Sequence, residues 1–127
     1  ISATHNAYLE KFGYLHQREI NFIKKDGIVQ GIDTLLKKNE NNKIINFSIR
    51  FHIYPGIETF QTVGGNDILL QISKNNSLVF SSKNKNVQVE KSLFMGRNKI
   101  LNNSCIVIYG NTNNQDINIR WELKKNN

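Results

Sequence analysis

The chain has 127 residues, 39% of them hydrophobic, with a formal net charge of +7; this is one domain's worth of sequence, long enough to bury a core without disulfides or metal. No apolar run approaches the about 20 residues that span a bilayer, and no basic-then-apolar signal segment opens the chain. The first residue is Ile1 rather than Met, so the sequence is expected to be part of a longer protein, and its localisation stays open.

The positive charge does not by itself point to nucleic acid. Lysines are spread through turns and strand ends among many Asn and Ile residues (KKNENNK, KNKN, KKNN), and only Arg18, Arg50, Arg97 and Arg120 supply guanidinium groups. No recognised nucleic-acid module accompanies them. The single cysteine, Cys105, lies in the apolar run SCIVIY and reads as a small buried hydrophobe.

In chain order, residues 1–12 (ISATHNAYLEKF) show no clean alternation and are expected to form an irregular lead-in or a short helical turn. GYLHQREINFI then reads as a strand with Tyr14, His16, Arg18, Ile20 and Phe22 on one face. Lys25–Asp26–Gly27 is a hairpin signal, because Gly27 accepts the positive φ of a tight turn. In the return strand GIVQGIDTLLK, Ile28, Ile32 and Leu36 share a face with Gln30 and Thr34, and Gly31 suggests a bulge or a close backbone approach.

The clearest signal is KIINFSIRFHIYPG, residues 43–56. Ile45, Phe47, Ile49, Phe51 and Ile53 alternate with Asn46, Ser48, Arg50, His52 and Tyr54, a period of two that a helix would scatter around its circumference. Pro55–Gly56 ends the strand, since proline donates nothing to a ladder. IETFQTV, DILLQIS, SLVFSS, VQVEKSLFMG, ILNNSCIVIYG and DINIRWELKK follow, and the asparagines of the KNN turn are expected to accept a left-handed conformation. In the last strand Ile117, Ile119, Trp121 and Leu123 oppose Asn118, Arg120, Glu122 and Lys124. Roughly nine strands at spacings of about 8–12 residues, with no long helical pattern, predict an all-β antiparallel β-sandwich, a single domain over residues 1–127.

Catalytic signatures are scarce: there is no phosphate-cradling glycine loop, no nucleophile elbow and no paired cysteines. The histidines are His5, His16 and His52. His52 stands between Arg50 and Tyr54 on its own face, and that row offers a bidentate guanidinium for a sugar carboxylate or sulfate and an aromatic ring for stacking. The same row also reads as an ordinary solvated sheet face.

The segment HNAYLEKFGYLHQREINFIKKDGIVQGIDTL, then FSIRFHIYPGI, VEKSLFMG and the terminal INIRWELKK, resembles the C-terminal β-sandwich region of the heparinase II/III-like polysaccharide lyases. The matching elements are His5 through Tyr8, Gly13 through Arg18, Asp26–Gly27, and Arg50 through Gly56. The resemblance implies a parent enzyme in which an N-terminal α/α toroid and this β domain flank a substrate cleft. It also implies β-elimination on an acidic, uronic-acid-containing polysaccharide, a periplasmic location in a bacterium, and a fragment inactive without the toroid. Arg50, His52, Tyr54, His5 and Tyr8 become candidate substrate-binding residues, none of them catalytic. His52 becomes the candidate ligand of a structural divalent metal. One departure stands out: where relatives have Asp-Gly after the first histidine, this chain has Asn6–Ala7, which removes a carboxylate from that loop. The alternative reading is a non-catalytic carbohydrate-binding or protein-interaction sandwich.

Overall fold

A computed structural model describes residues 1–5, 12–38, 44–62, 64, 67–83, 86–96 and 98–126, with the side chains of His5 and Phe94 left aside. Ten strands occur among them: β1 (Ser2–His5), β2 (Tyr14–Ile23), β3 (Ile28–Lys37), β4 (Asn46–His52), β5 (Glu58–Gln61), β6 (Asp67–Ser73), β7 (Asn76–Ser81), β8 (Asn86–Gly96), β9 (Lys99–Asn111) and β10 (Ile117–Lys125). They form a seven-stranded sheet in the order β1-β2-β3-β10-β7-β6-β5 and a three-stranded sheet in the order β4-β9-β8. Every pairing is antiparallel, and the two sheets pack as the expected all-β sandwich.

The core lies where the alternating faces meet. Ile49, Ile68, Leu70, Phe80, Val87, Ile106, Ile108, Ile119 and Trp121 form one buried cluster, with Phe47, Phe51 and Ile53 packed against it. The apolar side of the β4 stretch is therefore a core face, and Phe51 bridges the sheets: its ring centroid lies 5.0 Å from that of Phe80 and 4.9 Å from that of Trp121. Cys105 is buried, its thiol directed to the Ile106 carbonyl.

Two local expectations change, and two open readings are settled. Residues 2–5 are not an irregular lead-in but an edge strand, whose short polar sequence SATH is held by backbone pairing with β2. On β3 the face turned to the core is Val29, Gly31, Asp33 and Leu35, which pairs with Ile117, Ile119 and Trp121 of β10, and not the face carrying Ile28, Ile32 and Leu36. Gly31 marks a close approach: a Cβ there would meet the Trp121 ring at 2.1 Å, and the β3 register runs unbroken through it. The left-handed asparagines are Asn98, Asn113 and Asn114 rather than those after Lys74. Gly27 closes the β2–β3 hairpin with φ of 63°, as its turn requires.

Candidate functional site

The most heavily determined polar group in the sandwich is Asp33. The β2–β3 hairpin sets Arg18 opposite Asp33 and His16 opposite Leu35, while β10 sets Ile119 against Asp33. All these side chains share the inner face, so a carboxylate there is buried and needs partners. It has three. The Arg18 Nε–H donates to Oδ1 at 2.8 Å, the His16 ring nitrogen Nε2 lies 2.6 Å from the same oxygen, and the Trp121 indole N–H donates to Oδ2 at 2.8 Å.

Burial alone would raise the Asp33 pKa, but the hydrogen bonds from His16, Arg18 and Trp121, with the Arg18 charge, outweigh it and hold the carboxyl below its ordinary 3.8. An ionised carboxylate only accepts, so His16 carries the proton of its contact on Nε2. The Arg18 guanidinium also lies 4.9 Å from the Phe51 ring centroid, a cation–π contact that fixes the arginine between the sheets.

The exposed sides of this cluster face a cleft of about 490 Å³ between β2 and β4, walled by Tyr14, His16, Arg18, Phe47, Ile49 and Arg50 among others. Its floor is apolar and aromatic, its ionisable lining groups are basic, and no Asp or Glu is among the described lining residues. A slot of this kind suits an anionic ring that stacks and pairs at once.

On the opposite face of the three-stranded sheet the predicted row of β4 is open to solvent. Arg50 and His52 are exposed, and Tyr54, 68% exposed, lies beyond the end of the strand. Arg50 borders the cleft and also reaches over the sheet, its Nη1 donating to Glu90 Oε1 at 3.3 Å. The other oxygen of Glu90 accepts the Tyr109 hydroxyl. This bond is the main reason that Glu90 is held below its usual range and Tyr109 is raised above 10.0, with Arg50 further favouring the Glu90 anion.

His5 sits at the register position opposite His16 on β1, so two of the three histidines occupy one end of the β1–β2 pair. Tyr8 and the Asn6–Ala7 departure lie outside the described residues. His52 is opposite buried Cys105, and among the described residues no group of three or more His, Cys, Asp or Glu could hold a metal ion. The described donors around His52 thus do not make up a metal set.

Asp33, Trp121, Glu90 and Tyr109 were not singled out by the sequence reading. For Asp33 a signal existed: a hairpin closing on Asp26–Gly27 puts Arg18 directly across from Asp33. For Trp121, 88 residues away, no local signal did.

These features define an antiparallel β-sandwich domain with a basic, aromatic-walled cleft at one edge. The family described as Heparinase II/III-like, C-terminal, matches residues 1–122, and the chain belongs to that family. A comparison with curated proteins found no match. In fold the chain is similar to the crystal structure of heparan sulfate lyase HepC from Pedobacter heparinus, with a TM-score of 0.80, 18% identity, and coverage of 98% of this chain and 19% of that one. A HepC mutant from the same organism gives a TM-score of 0.79 at 17% identity, again over 98% of this chain and 19% of the other. The chain therefore spans 19% of the length of the lyase structures it matches.

Proposed function

We propose that this chain is the C-terminal β domain of a lyase that cleaves an anionic, uronic-acid-containing polysaccharide by β-elimination, and that it is inactive alone. The observation that carries the reading is the family match over residues 1–122; the sandwich and its basic cleft agree with it. In such a reaction the uronate carboxylate is neutralised, a base removes the C5 proton, and an acid protonates the leaving oxygen. Those groups belong to an α/α toroid and to chain upstream of Ile1. The β domain contributes binding.

Arg50 supplies a guanidinium at the cleft for carboxylate or sulfate, with Arg18 and His16 behind it held by Asp33, while the half-buried Phe47 ring walls the slot. His52, Tyr54, His5 and Tyr8 remain binding candidates. Bidentate guanidinium pairing is the strongest of these contacts. The test is titration of the full parent chain with an acidic oligosaccharide, comparing the natural protein with Arg50→Ala: weaker binding by the variant supports the reading, and equal binding removes Arg50 from it.

A further inference from the structure

The β8–β9 hairpin outruns the sandwich. Strand β4 pairs with β9 only from Cys105 to Asn111, and the Ile53 N–H bond to the Ser104 carbonyl is the next contact outward. Thr59 of β5 reaches Ser104 from the other sheet through a 3.1 Å hydroxyl contact. Beyond these, and past the Asn103 side-chain amide that donates to the Ile53 carbonyl at 2.8 Å, β8 and β9 continue together from Leu93↔Asn102 to Gly96↔Lys99, about 13 Å of two-stranded ribbon at the usual rise per residue.

The face that buries Val87 and Ile106 inside the sandwich carries on along this ribbon as Leu93, Met95 and Ile100. There the three are 64%, 79% and 64% exposed. A two-stranded ribbon is marginal in water by itself, and a stripe of three large apolar side chains on one of its faces marks an interaction surface. From Lys91 to Cys105 the sequence holds Lys91, Arg97 and Lys99 and no acidic residue.

We propose that this hairpin is a docking arm whose Leu93–Met95–Ile100 face seats in an acidic-rimmed apolar groove on the rest of the parent chain. The inference rests on the reading of this chain as one domain of a longer lyase. Two observations select that occupant. The fold is matched over 98% of this chain yet makes up 19% of the lyase structures, so in those proteins most of the molecule lies outside it. The hairpin's uniformly positive charge, within a chain of net charge +7, repels a second copy and favours an acidic partner surface.

Met95 is the single methionine of this sequence and so reports on the face directly, because sulfoxide formation follows exposure. In the full parent chain under mild peroxide, mass mapping of the Met95 peptide is expected to show oxidation about tenfold slower than that of free methionine. This protection should be independent of protein concentration and abolished in Leu93→Asp/Ile100→Asp. An unchanged unfolding midpoint shows that the variant parent chain keeps its fold. Four results overturn the proposal: oxidation at the free rate, protection that grows with protein concentration (a second copy), protection that appears only with anionic phosphatidylserine vesicles (a membrane), or protection unchanged in the variant. Formation of the unsaturated uronate product by the same preparation tests the lyase reading separately, so either can fail alone.

Discussion

The indole of Trp121 lies over Gly31, where a Cβ would meet the ring at 2.1 Å, and from that seat its N–H reaches Asp33 at 2.8 Å. The missing side chain on β3 is what lets a tryptophan of β10 serve as both core filler and hydrogen-bond donor. Packing and polar satisfaction are thereby coupled: a change that moves the ring also strips a partner from the buried carboxylate.

Gly31→Ala should therefore be costly despite adding one methyl group. Overpacking a filled core costs about 1–3 kcal/mol, and loss of the indole donor adds to it, so a loss of about 3 kcal/mol in urea unfolding is expected. Trp121, the single tryptophan, reports the transition by fluorescence. A change under about 0.5 kcal/mol, the range of ordinary surface substitutions, would contradict the close approach.

Asp33→Asn keeps an acceptor for Trp121 but no longer neutralises Arg18. Breaking a buried pair costs about 3–5 kcal/mol; because Arg18 and His16 are 31% and 23% exposed, the lower end of that range is expected. The pH dependence has a definite sign. The folded Asp33 titrates below its ordinary 3.8, so its contribution is fully present above that value and is lost as the pH falls through the folded pKa. The stability gap between the natural protein and Asp33→Asn should be widest near neutrality and narrow in acid. A gap that is constant down to the acid transition would rule out the ionised cluster.

The outer face of the three-stranded sheet should behave differently. Arg50 and Glu90 are partly exposed, and solvent screens such pairs, so neither Arg50→Ala nor Glu90→Gln should shift the unfolding midpoint measurably. Glu90→Gln should instead release Arg50 and strengthen binding of a sulfated oligosaccharide a few-fold, while Arg50→Ala weakens it. Equal affinities across the three proteins in calorimetry would show that Arg50 contacts no glycan.

Tyr109 gives an independent reading of that network. Its hydroxyl bond to Glu90 raises its pKa above 10.0, so Glu90→Gln should bring one tyrosine back toward the ordinary value in an ultraviolet phenolate titration. Identical titration curves for both proteins would mean that the Tyr109–Glu90 bond does not form in solution.

How much of this was legible beforehand follows from the kind of interaction involved. The strands with clean alternation, Ile45 to Ile53 and Ile117 to Leu123, declared their core faces, because period two and burial are one signal. β1 was not legible: SATH has no apolar face, and its strand exists only through pairing with β2. The orientation of β3 was not legible, because its core face carries Gly31 and Asp33, residues that look like a wet edge until Trp121 and Arg18 are placed against them. The basic cleft needed both sheets, since its walls come from β2 and β4, which do not pair. The row Arg50, His52 and Tyr54 was correctly placed opposite the core, but its engagement with Glu90 depended on β8 lying two strands away.

The central claim, that this sandwich is the C-terminal domain of a polysaccharide lyase, is tested most directly by incubating the full parent chain and residues 1–127 separately with heparan sulfate and following the absorbance of the C4–C5 unsaturated uronate. The account predicts product from the full chain and none from residues 1–127; no product from a folded full chain on heparan sulfate or other uronic-acid polysaccharides would contradict it.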